Sequence, residues 1–180
     1  VSWRWADAVL EGTEGGYPSD IKMIFSVGGN RLNQCADINK GIQALKKVEF
    51  VVSLDNFLAP MAKYADIVLP AASHFEREDI QVPHNAGEYL IYNNKAMEPF
   101  HEARTDLEIL TELAKRLGND SFNDRLEQEW LKEFMRESKI DSEILRQNGI
   151  CRAEPPFTEE PLGKFIDDPV KSPLPTPSGK

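Results

Sequence analysis

The sequence predicts an α/β fold: a parallel sheet flanked by helices, followed by an extended, proline-rich C-terminal tail. Two observations carry this. Between Lys22 and Leu69, three short apolar runs alternate with two stretches of helical pattern. Strand and helix alternating at so short a spacing is the signature of βαβ units, whose strands run parallel. From Pro155 on, seven of the twelve prolines fall in the last 26 residues. Proline lacks the amide that a ladder or a helix interior needs, so that segment reads as linker.

Each element has its own signal. Trp3 to Leu10 carries Trp5, Ala8 and Val9 at helical spacing and stops at Gly12. Glu11–Asp20 holds three glycines and a proline and reads as a loop. Lys22–Val27 is a strand closed by Gly28-Gly29. Asp37 is placed to cap a helix with the stripe Ile38, Ile42 and Leu45. Val48–Leu54 is the strongest strand, since five of its seven residues are Val, Phe or Leu. Leu58, Met61, Ala62 and Ala65 make the apolar face of a short helix, and Asp66–Leu69 is a third strand ended by Pro70.

Residues 73–103 read as irregular, with one strand at Tyr89–Tyr92. The next helix has Leu107, Leu110, Leu113, Ala114 and Leu117 on one face. Thr105-x-x-Glu108 forms a capping box at its start, and Gly118 ends it. A packed helix over 104–117 on one sheet face is expected. Another helix follows with Leu126, Trp130 and Phe134 at i, i+4, i+8, and a weaker one spans Ser142–Gln147. This divides the chain into an α/β domain, 1–150, and a linker, 151–180.

Composition excludes several classes. Hydrophobic residues are 41% and charged residues 28%, as in an ordinary globular chain. The longest apolar runs, such as Phe50–Leu54, fall far short of the roughly 20 residues a bilayer requires. Thirty acids against 21 bases give a net charge of −9. That argues against nucleic-acid binding, which needs clustered Lys and Arg. The sequence opens Val1-Ser2-Trp3, without a signal-peptide pattern, and stops at Ser178-Gly179-Lys180 without a closing element. We expect a fragment of a longer chain.

No GxSxG, GxxxxGK[ST], HExxH or GxGxxG template occurs. Cys35 and Cys151 make no cluster, and His74, His84 and His101 have no ligand spacing, so no metal-ligating and no catalytic residue is assigned. The glutamates and aspartate around Arg77 (Glu76, Glu78, Asp79) read as a solvated loop with weak ion pairs.

What remains is the set of strand ends. Ligands of parallel sheets sit beyond the C-terminal ends of the strands. Those ends carry Gly28-Gly29-Asn30, Leu54-Asp55-Asn56 and Pro70-Ala71. Gly28 and Gly29 let backbone amides approach a phosphate or sugar, and Asn30 offers a donor and an acceptor. The Asp55 carboxylate suits paired donors such as a ribose diol or a guanine edge. The plainer alternative is a turn at Gly28-Gly29 and a helix cap at Asp55.

Several ordered motifs resemble the molybdopterin oxidoreductase family. They are Gly28-Gly29-Asn30, the run Val52–Leu58, Ala65-Asp66-Ile67-Val68-Leu69-Pro70-Ala71 with its continuation to Ile80, Glu102–Asp106, and Leu174–Lys180. The start rich in tryptophan and the spacing of Gly28-Gly29-Asn30 to Gln34 are most similar to the dimethyl sulfoxide reductase group. The resemblance implies a Rossmann-like third domain that binds one of two molybdopterin guanine dinucleotides holding molybdenum or tungsten. Carried over by position, it places Gly29, Asn30, Leu54, Asp55, Arg77 and Asp106 at the cofactor. Asp106 also has a plain role, as an acid in the first turn of a helix.

The resemblance further implies an anaerobic oxidoreductase whose metal ligand and iron–sulfur cluster lie outside this segment, so that the segment alone is inactive. Its partners would be the remaining domains of the same chain and an iron–sulfur electron-transfer subunit. Nucleic acid and direct membrane insertion are not expected. It is compatible with a prokaryotic protein, exported and held at a membrane through a partner subunit, but the residues set no compartment. The rival reading is a noncatalytic Rossmann-like domain that binds a nucleotide or a protein partner within a redox complex.

Overall fold

The computed structural model describes residues 4–82, 89–137, 140–152 and 162–178. His84 and Pro155–Pro161 fall outside them. Among the described residues no helix is long and apolar enough to cross a membrane.

The predicted parallel sheet is present, in the order β1 (Met23–Val27), β2 (Phe50–Asp55), β3 (Ile67–Pro70). Met23 stands beside Phe50 and Val27 beside Leu54; Leu54 stands beside Leu69 and Asp55 beside Pro70. One face is covered by α1 (Trp5–Glu11), the one-turn α2 (Arg31–Gln34) and α3 (Ile38–Lys47). Gly12 ends α1 with a φ of 55°, a conformation that glycine adopts without a Cβ clash. Asp37 caps α3 as expected, its Oδ1 accepting from Lys40 N at 3.0 Å. The core on this face joins Leu32, Leu45, Val51 and Met61, beside Ala6, Val9 and Ala44. Each large side chain buried there contributes roughly 1.5–3 kcal/mol. Ile38, at the exposed end of the predicted stripe, lies outside this core.

Two expectations are corrected here. The helix expected at Leu58–Ala65 is only a 3-10 turn, Ala62–Tyr64, although Met61 and Ala62 are buried as predicted. A single turn suffices because β3 begins three residues later. The loop at 11–20 likewise starts with a 3-10 turn, Gly12–Gly15.

The single strand expected at Tyr89–Tyr92 is the middle of a second, antiparallel sheet that the sequence reading lacks. β4 (Asp79–Gln81), β5 (Tyr89–Asn93) and β6 (Ile150–Arg152) pair in that order. β6 crosses the expected domain boundary, since Cys151 stands opposite Leu90 and Arg152 opposite Tyr89. The tail is not wholly extended: α7 (Gly163–Asp167) is a short helix, followed by a turn in which Asp168 accepts from Val170 N and Lys171 N.

The sheet's second face meets α4 (Asp106–Arg116). The expected close packing of this helix does not occur, because none of its residues is buried. A cavity of about 740 Å³ separates it from the sheet, with Phe25, Phe50, Val52 and Ile67 on one wall and Ile109 and Leu113 on the other. The segment leading into α4 is tied to the end of β3, where Ala72 N donates to Arg104 O at 2.8 Å and Arg104 N to Pro70 O at 3.2 Å, and Asn123 Nδ2 donates to Thr111 Oγ1 in the helix at 3.1 Å.

α5 (Glu127–Glu137) and α6 (Ser142–Asn148) pack on the second sheet. The face of α5 that turns inward is Leu131 and Met135, buried with Tyr92 and Leu145. Leu126, Trp130 and Phe134 line its flank instead, and Leu126 is 73% exposed. Both rows have i, i+4 spacing, so periodicity alone leaves the choice open.

Candidate functional site

The C-terminal edge of the parallel sheet is built in sequence from the ends of β1, β2 and β3. Gly28 turns the chain with a φ of 56°, and its amide extends the ladder by donating to Leu54 O at 2.9 Å. The Gly29 carbonyl accepts from Ser26 Oγ at 2.9 Å. The amides of Gly29 and Asn30 donate to no protein acceptor among the described residues. Asn30 Oδ1 accepts from Met61 N at 3.3 Å, so its acceptor is used internally and its amide nitrogen remains for other contacts.

Leu54 is 0% exposed and its carbonyl is taken by Gly28, so it fixes the edge as core and presents no side chain there. Asp55 is half-buried. Its Oδ1 accepts from Phe57 N at 3.3 Å, a turn-closing bond rather than a helix cap. Its carbonyl accepts from Ala71 N at 3.1 Å. Ala71 in turn bridges to Arg104, two residues before Asp106. Asp106 therefore stands on the same side of the fold as the strand ends.

Arg77 and Asp106 meet directly, though 29 residues apart. Arg77 Nη1 donates to Asp106 Oδ2 at 3.1 Å, and Arg77 Nη2 lies 2.9 Å from Asp79 Oδ2. Arg77 Nε is buried without a partner. The six predicted positions thus form two groups. Gly29, Asn30, Leu54 and Asp55 are held together by the β1–β2 ladder. Arg77 and Asp106 line a separate cavity of about 440 Å³ with Asp79, Glu127, Phe122 and Trp130. No hydrogen bond joins the groups among the described residues.

Two acids have roles that the sequence reading missed. Glu76 is no solvated loop residue. It is buried, and its carboxylate accepts from Ser73 N and Oγ at 2.7 and 2.8 Å and from Phe100 N at 2.7 Å. These bonds, from Ser73 above all, hold its carboxyl below the ordinary glutamate range. The Ser73-x-x-Glu76 spacing, that of a capping box, was the available signal. Glu127 faces the opposite way: burial pushes its carboxyl up, opposed by Arg77 and reinforced by Glu108, Asp79 and Asp106. Its neighbours come from distant segments, so nothing local announces it. Among the described residues no three His, Cys, Asp or Glu side chains are placed to hold a metal ion.

The fold and this glycine-bearing edge define a Rossmann-like α/β unit. The chain belongs to the molybdopterin oxidoreductase family, whose model matches residues 6–116. It is 34% identical to dimethyl sulfoxide reductase DmsA of Escherichia coli over 204 residues, which covers 99% of this chain and 25% of that protein. It is 31% identical to the dimethyl sulfoxide/trimethylamine N-oxide reductase of Rhodobacter capsulatus, covering 97% of this chain and 23% of that one. Among solved structures it resembles acetylene hydratase from Pelobacter acetylenicus with a TM-score of 0.67 and 25% identity, over 97% of this chain and 23% of that chain. The chain thus spans about a quarter of the length of these relatives.

Proposed function

We propose that this chain is the part of a dimethyl sulfoxide reductase-type enzyme that holds one molybdopterin guanine dinucleotide, at the C-terminal edge of the parallel sheet. The observation that carries this reading is the end of β1. Two consecutive amides, of Gly29 and Asn30, are unspent there among the described residues, just past β1 where it pairs with β2, the strand that ends in Asp55. Such amides suit a phosphate or sugar oxygen. The carboxylates of Asp55 and Asp106 suit the N1–H and N2–H pair of guanine. Donors and acceptors of both kinds are present, so the residues fit the group.

When bound, the cofactor's metal supplies two-electron chemistry, oxygen-atom or hydride-equivalent transfer. This chain's residues bind and orient, and the isolated chain is inactive. The iron–sulfur relay, the electron-transfer subunit and the substrate pocket belong to other parts of the enzyme. One structural neighbour is named as a hydratase and the sequence relatives as reductases, so substrate choice lies in the pocket residues outside this fold.

The rival reading is a noncatalytic nucleotide- or partner-binding domain. The Asp55–Phe57 bond favours it, because that bond gives Asp55 a structural role. Asp55→Asn in the full-length protein separates the two. The expected result is a lowered content of molybdenum and guanine nucleotide per protein with a nearly unchanged melting curve. Full cofactor content with a lowered melting temperature would favour the rival.

A further inference from the structure

We infer that Arg77 is a positioning residue, which fixes the Asp106 carboxylate for the guanine base and does not itself hold the pyrophosphate. The inference rests on the reading above that this edge takes the guanine dinucleotide. It departs from the family resemblance, which puts Arg77 itself on the cofactor.

Three observations point this way. The first is the occupancy of the guanidinium. Nη1 is engaged by Asp106 and Nη2 by Asp79. The remaining edge, at Nε, is buried. A two-point contact with a phosphate would have to use the Nε–H, which is closed off from solvent, or displace one of these two carboxylates. The second is local charge. One guanidinium is set against Asp79 and Asp106, with Glu127 on the same cavity. Two carboxylates bonded to one arginine leave a negative surplus, which repels a pyrophosphate. The third is the state of Asp106. Arg77 holds its Oδ2, while Oδ1 is in no hydrogen bond among the described residues. Asp106 is the first residue of α4, and the Thr105 cap fixes its backbone. With the backbone and one oxygen held, the other oxygen is left open to a donor of the guanine edge.

By the same geometry, a lysine at this position is expected to hold Asp106 poorly. Its ammonium presents one nitrogen, where the guanidinium presents two ends that reach different carboxylates.

The test is a double-mutant cycle in the full-length enzyme, read as guanine nucleotide and molybdenum released per protein. Arg77→Ala and Asp106→Ala are each expected to weaken retention by about tenfold or more, the scale of one charge-assisted hydrogen bond. The double variant is expected to retain as much as Asp106→Ala alone, because Arg77 acts only through Asp106. Asp141→Ala removes the cap of α6, far along the chain, and is expected to lower the melting temperature while keeping full cofactor content. That control separates positioning from general destabilisation. If Arg77→Ala does not fold, Arg77→Lys takes its place in the cycle with the same expected equality.

A double variant that loses several-fold more than Asp106→Ala would overturn this inference alone, since Arg77 would then touch the cofactor on its own account. Loss of guanine nucleotide in Asp141→Ala would overturn it too. Full content in Asp106→Ala would overturn both this inference and the assignment of Asp106 to the base.

Discussion

Thr105 and Glu108 cap one helix reciprocally. Thr105 Oγ1 accepts from Glu108 N at 3.3 Å, and Glu108 Oε2 accepts from Thr105 N at 3.0 Å. Two donors of the first turn of α4 are satisfied by these bonds. They hold a helix that buries none of its own residues, so the cap matters more here than on a packed helix. Thr105→Ala should cost about 1 kcal/mol. Chemical denaturation with an unchanged slope is the measurement, and an unshifted midpoint would show that the cap is dispensable.

Gly41 sits inside α3, where alanine is intrinsically better by about 1 kcal/mol. Space opposes that gain. A Cβ at Gly41 would lie 2.8 Å from Leu32 Cδ2 and 3.2 Å from Trp5 Cζ2. Leu32 is itself buried, so it cannot swing into solvent. Overpacking of this kind costs roughly 1–3 kcal/mol, which outweighs the propensity gain. Gly41→Ala should therefore lower stability, and a raised melting temperature would show that the Leu32 contact relaxes freely.

Glu76 links acid stability to the loop after β3. Its folded-state affinity for protons is below that of the unfolded chain. The stabilisation is therefore complete above the ordinary glutamate value of about 4.3 and is lost as pH falls through the lower folded value. Glu76→Gln should lower the melting temperature at neutral pH, and the gap to the parent should close in acid. A gap that stays constant down to pH 3 would exclude this linkage.

Glu127 should behave with the opposite sign. Its carboxyl is raised, mainly by burial. Between the unfolded and the folded value the native state binds more protons, so stability falls as pH rises through that window. Above it, the charged Glu127 faces Asp79 and Asp106 across one cavity. Glu127→Gln should raise the melting temperature by a few degrees near pH 7 and change little below about pH 4.3. A variant less stable than the parent at pH 7 would mean that the carboxylate has a partner worth more than its desolvation.

The sequence by itself determined the parallel sheet, its three strands, the Asp37 and Thr105 caps, and the family. Each rests on short-range signals: apolar runs, capping residues at fixed offsets, and ordered motifs. Only the tertiary structure decided which way each side chain faces and which distant residues meet. Leu131 and Met135, not Trp130 and Phe134, turn inward, because the second sheet lies on that side of α5. β4 and β6 are three residues long and form strands only by pairing with β5. The Arg77–Asp106 contact joins residues 29 positions apart, through a bridge between the end of β3 and the segment before α4. Local spacing fixes elements because their periods and caps are local. Contacts between segments depend on how the chain returns to itself, and no single window of residues encodes that.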